Sequence, residues 1–205
     1  MKKKIIKLSL FILTFGIVGY NSVYVKKLDE VKAASKGFDA PGFARKFWQH
    51  KLTPALGKAS DTGQLLTQLQ QQKEKAFKEF GHSLGMGNIK YFLSRGTGVV
   101  QDVNENNVAI QVGSDTVRIA TEYVFGNAVR DASGQIDLSE FSNTMDLNNV
   151  SAELNKIIRM EVLPAFRKEV KKGDTVEFAG AIELNQKFPD LHSVEVMPIA
   201  LRVVK

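Results

Sequence analysis

Near residue 90 the spacing of apolar residues changes from three and four to two, and that change constrains the fold more than any other feature of this 205-residue chain. Before it, Phe43, Phe47, Trp48 and Leu52, and then Leu65, Leu66, Leu69, Ala76, Phe77 and Phe80, recur as the buried stripes of amphipathic helices. Asp39 and Asp61 stand where helix caps belong, and Thr53-Pro54 gives the cap-then-proline order that restarts a helix. These features predict a helical hairpin, with Gln68 and Gln70 to Gln72 on its wet face. Gly81, Gly85 and Gly87 then mark a linker.

After the linker, Val99, then Val108, Ile110 and Val112, then Val117 and Ile119 alternate with polar neighbours. Asn104 to Asn107 and Gly113-Ser114-Asp115 fall between them as turns, which predicts a three-strand meander. A polar loop from Gly126 to Gly134 follows, then a helix over about 150–170 with a break at Pro164. Strands at Thr175 to Leu184 and Ser193 to Val204 complete the chain, the first bending at Gly180. Three strands, a helix and two strands is the order of a five-stranded oligonucleotide/oligosaccharide-binding (OB) barrel with its helix between strands three and four. The expected class is therefore α+β: an N-terminal membrane helix, a small helical hairpin domain and an OB-like barrel.

The membrane helix is read from the first residues. Lys2, Lys3, Lys4 and Lys7 precede an uncharged apolar run from Leu8 to Val25. Eighteen residues at the helical rise span about 27 Å, close to the hydrocarbon thickness of a bilayer. The lysines orient the amino end inward, so the rest of the chain is expected outside the cytoplasm, in the periplasm of a bacterial envelope. A retained single-pass anchor is the favoured state. Removal as a signal peptide after Val31-Lys32-Ala33, a poor cleavage site beyond the apolar run, is the alternative. The expected organisation is 1–27 as signal-anchor, 28–38 as juxtamembrane tether, 39–88 as helical domain and 89–205 as barrel domain.

Removing residues 1–25 takes away four lysines and no acid, leaving 24 basic against 22 acidic residues, so the formal charge falls from +6 to +2. A balanced exported domain gives no electrostatic case for nucleic acid as a partner. The chain has no cysteine, which excludes disulfides, thiolate metal sites, cysteine nucleophiles and the attachment point of a bacterial lipid anchor.

The stretch Asp131 to Phe141 reads like the back half of an EF-hand loop, with Asp131, Ser133, Asp137 and Glu140 at ligand positions around Gly134. The first ligand position falls on Val129, which offers no carboxylate, so an Asx turn and a helix-like bend are favoured over calcium. Gly85-Met86-Gly87 and Gly96-Thr97-Gly98 lack the residues of a phosphate cradle, and His50, His82 and His192 have no zinc-ligand spacing. No cofactor, metal or catalytic residue is therefore expected. Trp48, Tyr91 and Tyr123 are the candidates for a sugar-stacking platform, set against core packing as the ordinary role of such rings.

The segments Phe125 to Gly134, Phe141-Ser142-Asn143, Val150 to Asn155 and Gly173 to Ala181, in that order, carry a resemblance. The chain resembles the bacterial family of predicted periplasmic lipoproteins with a domain of unknown function, number two thousand two hundred and ninety-one. The resemblance reaches from the Trp48 helix to Met197-Pro198-Ile199 and implies a small helical domain followed by an OB-like barrel. It also implies, from relatives encoded beside sugar-uptake transporters, a part in carbohydrate import. The chain departs from the family in lacking the lipid-bearing cysteine, and a transmembrane helix would keep the location while changing the anchor.

The expected function is a non-enzymatic, membrane-tethered extracytoplasmic accessory of solute uptake that binds a sugar-transporter component or a carbohydrate. Arg130, Asp131 and Asn143 are its first candidate binding residues, since a charge pair and an amide suit a sugar hydroxyl or a partner surface. Bracing of the barrel mouth by Arg130 and Asp131 is the competing and favoured role. An envelope carbohydrate-active hydrolase using Asp137, Glu140 or Glu183 is the alternative of a different class.

Overall fold

A computed structural model describes residues 37–204, and the expected anchor and all but the last two residues of the tether lie outside them. From Asp39 onward the chain forms one compact unit. Asp39 caps α1 (Ala40–Phe47) by accepting from the Gly42 amide at 2.9 Å, and Asp61 caps α2 (Thr62–Gln71) by accepting from that of Gln64 at 3.0 Å. The single helix expected beyond Asp61 is two, because Gln72 leaves helical geometry (φ −137°, ψ 53°) before α3 (Lys73–Phe80). No glycine or proline marks that break in the sequence.

Six strands follow the order β1-β2-β3-β4-β6-β5, with β5 returning to pair with β2. They are β1 (Ser60–Asp61), β2 (Ile89–Val103), β3 (Asn107–Val112), β4 (Asp115–Ala120), β5 (Thr175–Asn185) and β6 (Glu195–Val204). The last five close on themselves. β2–β3, β3–β4, β5–β6 and β2–β5 are antiparallel and β4–β6 is parallel, the closure expected of an OB barrel. The two-residue β1 adds in parallel at Ser60↔Ser94 and Asp61↔Arg95, an element too short for periodicity to reveal.

β2 extends ten residues N-terminal to the expected Val99. Phe92, Ser94 and Val100 on one face are buried, while Tyr91, Leu93, Arg95 and Thr97 on the other are half-buried or exposed. Gly96 and Gly98 sit on the inner face and hide the alternation from a hydropathy reading. Gly180 bends β5 as expected. The register slips between Ala179 and Gly180, and a Cβ at Gly180 would lie 2.4 Å from the Met197 carbonyl oxygen.

The helices and the barrel share one core, so the expected division at residue 88 does not separate two domains. Leu65, Leu66, Leu69, Ala76 and Phe77 are buried in the same cluster as Phe92, Ile110, Ile119, Phe178 and Ile182, and Phe77 meets Phe92 edge to face at 5.1 Å. The third helical region is α5 (Thr144–Ile157), a π-helical turn (Ile158–Val162) and α6 (Leu163–Glu169). A second π turn, Trp48–Leu52, follows α1. Each precedes a proline by two residues, Pro54 and Pro164. Widening the turn offsets the missing amide and the ring clash, so the helix continues where a break was expected.

The expected polar loop 126–134 contains a buried turn of helix, α4 (Ala128–Asp131), packed on β2 and β5. Among the described residues no helix is long and apolar enough to cross a membrane. Replacing Gly180 with alanine forces the new methyl group into β6 backbone and is expected to cost about 1–3 kcal/mol, read from urea unfolding followed by the fluorescence of Trp48, the single tryptophan.

Candidate functional site

α4 is four residues long and cannot hold itself as a helix, so it depends on its surroundings. Ala128, Val129 and Ala132 are buried beside the outer face of the β2–β5 pair. Arg130 and Asp131 are buried too, at 4 % and 5 % exposure, far from the exposed loop read from the sequence. Arg130 Nε donates to Asp131 Oδ1 at 2.5 Å and Nη2 to Oδ2 at 3.0 Å. Its Nη1 donates to the Leu147 carbonyl at 3.3 Å and to Ser151 Oγ at 3.0 Å, both on α5. Ser151 Oγ in turn donates to Asn127 Oδ1 at 3.1 Å, and Asn155 Nδ2 to the Gly126 carbonyl at 2.9 Å. One guanidinium thus neutralises the neighbouring carboxylate and fastens α4 to α5.

Over this pair lies a cleft of ≈ 560 Å³. Tyr91 lines it from β2, and Met86, Asn127, Leu138, Thr144 and Asn148 from the segments around. Among the described residues Arg130 and Asp131 are the only charged ones that line it, and each is already paired with the other. Partial burial, with the carboxylates of Glu183 and Asp131 reinforcing it, pushes the Tyr91 phenol up to about 12, so its hydroxyl stays a hydrogen-bond donor through the physiological range. The lining offers hydroxyl and amide groups among apolar side chains with its two charges paired, and the Glu183 carboxylate, opposite Tyr91 on β5, lies outside it.

Of the six residues selected from the sequence, Tyr91, Arg130 and Asp131 meet here. Asn143 stands just outside as the N-cap of α5, accepting from the Asp146 amide at 2.9 Å while its Nδ2 donates to Asp146 Oδ2 at 2.9 Å. Tyr123 is 56 % exposed and packs edge to face on Phe125 at 6.0 Å, away from the cleft lining. Trp48 is half-buried at the start of the first π turn and also lies outside it. Met86 and Asn127 were missed: a methionine between glycines and an asparagine after Gly126 read as linker and loop, and only the tertiary fold brings them to one cleft.

The EF-hand-like spacing serves local structure. Asp131 is held by Arg130, Ser133 Oγ accepts from the Gln135 amide at 3.3 Å, and Asp137 accepts from the Ser139 amide at 2.9 Å to cap a 3-10 turn, Leu138–Glu140. That bonding to Ser139 holds the Asp137 carboxyl below its usual range, while partial burial raises that of Glu183 on β5. Glu140 lies 3.6 Å from Lys51. None of these three carboxylates lines the Tyr91 cleft. Among the described residues no three histidine, aspartate or glutamate side chains converge as metal ligands.

A crystallographically solved OB-fold protein from Thermotoga maritima is similar to this chain, with a TM-score of 0.74 at 24 % identity, covering 82 % of this chain and 99 % of that one. The likeness is one of fold. No curated protein matches the sequence. Over residues 13–202 the chain matches, and therefore belongs to, the family described as predicted periplasmic lipoprotein, a domain of unknown function (DUF2291).

The buried pair sets a clear energetic expectation. Arg130→Met strands the Asp131 carboxylate and is expected to cost about 3–5 kcal/mol in urea unfolding, whereas Arg130→Met with Asp131→Leu regains most of the loss. A single substitution without effect would remove the bracing role.

Proposed function

We propose that this protein is a non-catalytic, membrane-tethered extracytoplasmic accessory of solute uptake, and that the Tyr91 cleft binds a carbohydrate. The observation that carries the reading is the neutrality of the residues lining the cleft. Its charges cancel within the Arg130–Asp131 pair, leaving the Tyr91 hydroxyl, Asn127, Thr144 and Asn148 to meet an uncharged polyhydroxylated molecule, with Ile89 and Leu147 available to its C–H faces. A volume of ≈ 560 Å³ is within the range of small-ligand sites. Membership of a predicted periplasmic lipoprotein family supports an envelope location. With no cysteine to carry lipid, the uncharged run from Leu8 to Val25 is the anchor in this proposal, retained as a single membrane-spanning helix.

A second occupant, a protein component of the transporter, is favoured by one feature of the rim. Met86 is fully exposed and Leu138 is 48 % exposed, and both line the cleft. Apolar side chains presented to solvent beside a concave polar surface suit a transient protein contact.

Thermal unfolding of the full chain in neutral detergent, against a panel of sugars and polyols, separates the two. A sugar at about one hundred times its dissociation constant is expected to add about 2.7 kcal/mol, and Tyr91→Phe to weaken binding roughly tenfold by removing one half-buried donor. No stabilisation by any sugar would overturn the carbohydrate reading. Loss of a purified transporter component's binding on Met86→Ser with Leu138→Ser would then assign the rim to a protein.

A further inference from the structure

A second cleft differs from the first in its charge. It measures ≈ 420 Å³ and adjoins the first through a shared backbone bridge, in which His82 and Tyr91 exchange amide–carbonyl bonds at 2.8 and 2.9 Å. Tyr91 lines one cleft and His82 the other. The segment from Asn127 to Gln135 divides in the same way, with Arg130 and Asp131 in the first, Ala132, Ser133 and Gln135 in the second. Gly134 is fixed between them. Its φ of +64° is costly for an L side chain, and a Cβ there would fall 2.7 Å from His82 Nδ1, so glycine is required for the His82 ring to lie against this turn.

Four cationic or titratable donors reach the second cleft from separate elements. His50 and Lys51 come from the π turn after α1, Lys58 from the turn before β1 and His82 from the bridge. Glu79 at the end of α3 is the one acid among the described residues that line it. Lys58 is exposed and has no hydrogen-bond or ion-pair partner among the described residues. Lys51 is held only by long contacts, 3.5 Å to the Gln135 carbonyl and 3.6 Å to the Glu140 carboxylate. Lys58 is thus unspent and Lys51 only partly engaged, by Glu140 and the more distant Asp137 carboxylate, in a concave space where attraction to an anion exceeds that on an open surface.

We propose that this second cleft is a binding site for a small oxyanion, the carboxylate or phosphate group of a solute, held by Lys51 and Lys58 with His50 and His82 as further donors. It requires nothing of the carbohydrate reading of the first cleft. Lysine suits the task as a mobile point charge that does not demand the planar geometry an arginine would impose. Glu79 opposes any bound anion and so limits the affinity. Partial burial, and the nearby Lys90 charge, lower the His82 imidazole below its usual range, so it is uncharged at neutral pH without ligand. A bound anion adds an opposing charge to the field of Lys51, Lys58, Lys90, His50 and Glu79 and raises His82. Proton uptake then accompanies binding, and affinity increases as pH falls toward the free imidazole's titration.

Calorimetric titration of the full chain in neutral detergent with inorganic phosphate, and separately with succinate, tests this. Neither probe carries a sugar, so the outcome is independent of the Tyr91 cleft. A single-site isotherm is expected with at least one of them, and which one distinguishes phosphate from carboxylate as the natural group. Lys58→Gln is expected to weaken binding about tenfold and Glu79→Gln to tighten it severalfold, opposite signs from two exposed side chains whose replacement leaves the fold intact. The His82 ring-proton titration is expected to move to higher pH in the bound state. Failure of both anions to saturate, or binding indifferent to Lys58→Gln and Glu79→Gln, overturns the proposal.

Discussion

Eleven consecutive pairs, from Ile89↔Asn185 to Val99↔Thr175, join β2 to β5, and the closure of the barrel and the walls of both clefts depend on that ladder. It closes the barrel by connecting the first strand of the meander to the first strand after the helices. Closure removes two sheet edges that would otherwise need cover. It also commits β2 to two environments. The inner side chains Phe92 and Val100 enter the common core with Phe77 and Phe178, and the outer ones, Tyr91 and Leu93, become the starting surface for both clefts. Continuous pairing fixes the spacing between those outer residues, because neighbours on one face of a strand stand two residues apart.

On that surface α4 acts as a divider whose position is set electrostatically. A one-turn helix has little stability of its own, and the Arg130 guanidinium supplies what is lacking by binding Asp131 beside it and Leu147 and Ser151 on α5. The same pair cancels its own charge at the first cleft, while Lys58 at the second has no partner among the described residues. Two adjoining clefts therefore present different chemistry, neutral and polar at Tyr91, cationic at Lys58.

Much of the architecture was legible in the sequence because it rests on periodicity and punctuation. The caps at Asp39 and Asp61, the turns at Asn104 to Asn107 and Gly113, the bend at Gly180 and the strand–helix–strand order all have local causes. What was hidden depends on partners distant in the chain. The N-terminal half of β2 was obscured by its inward glycines, β1 exists only through Ser94 and Arg95, and the two prolines are accommodated by π turns where sequence rules put a restart and a break. The candidate site was half legible. Arg130 and Asp131 stood out as a polar pair and their burial did not, since only packing under α5 converts loop residues into a brace. Tyr123 and Trp48 drew attention as rings, and neither reaches the cleft that Tyr91 lines.

Native-state hydrogen exchange of α4 tests most directly whether the Arg130–Asp131 pair makes this turn an integral part of the barrel. The amides of Asp131 and Ala132, bonded to the Asn127 and Ala128 carbonyls at 3.0 and 2.9 Å, are predicted to exchange with the same opening free energy as the central amides of the β2–β5 ladder. Exchange of α4 at much lower free energy, with the ladder still protected, would show a loosely docked segment and contradict the account of how both clefts are formed.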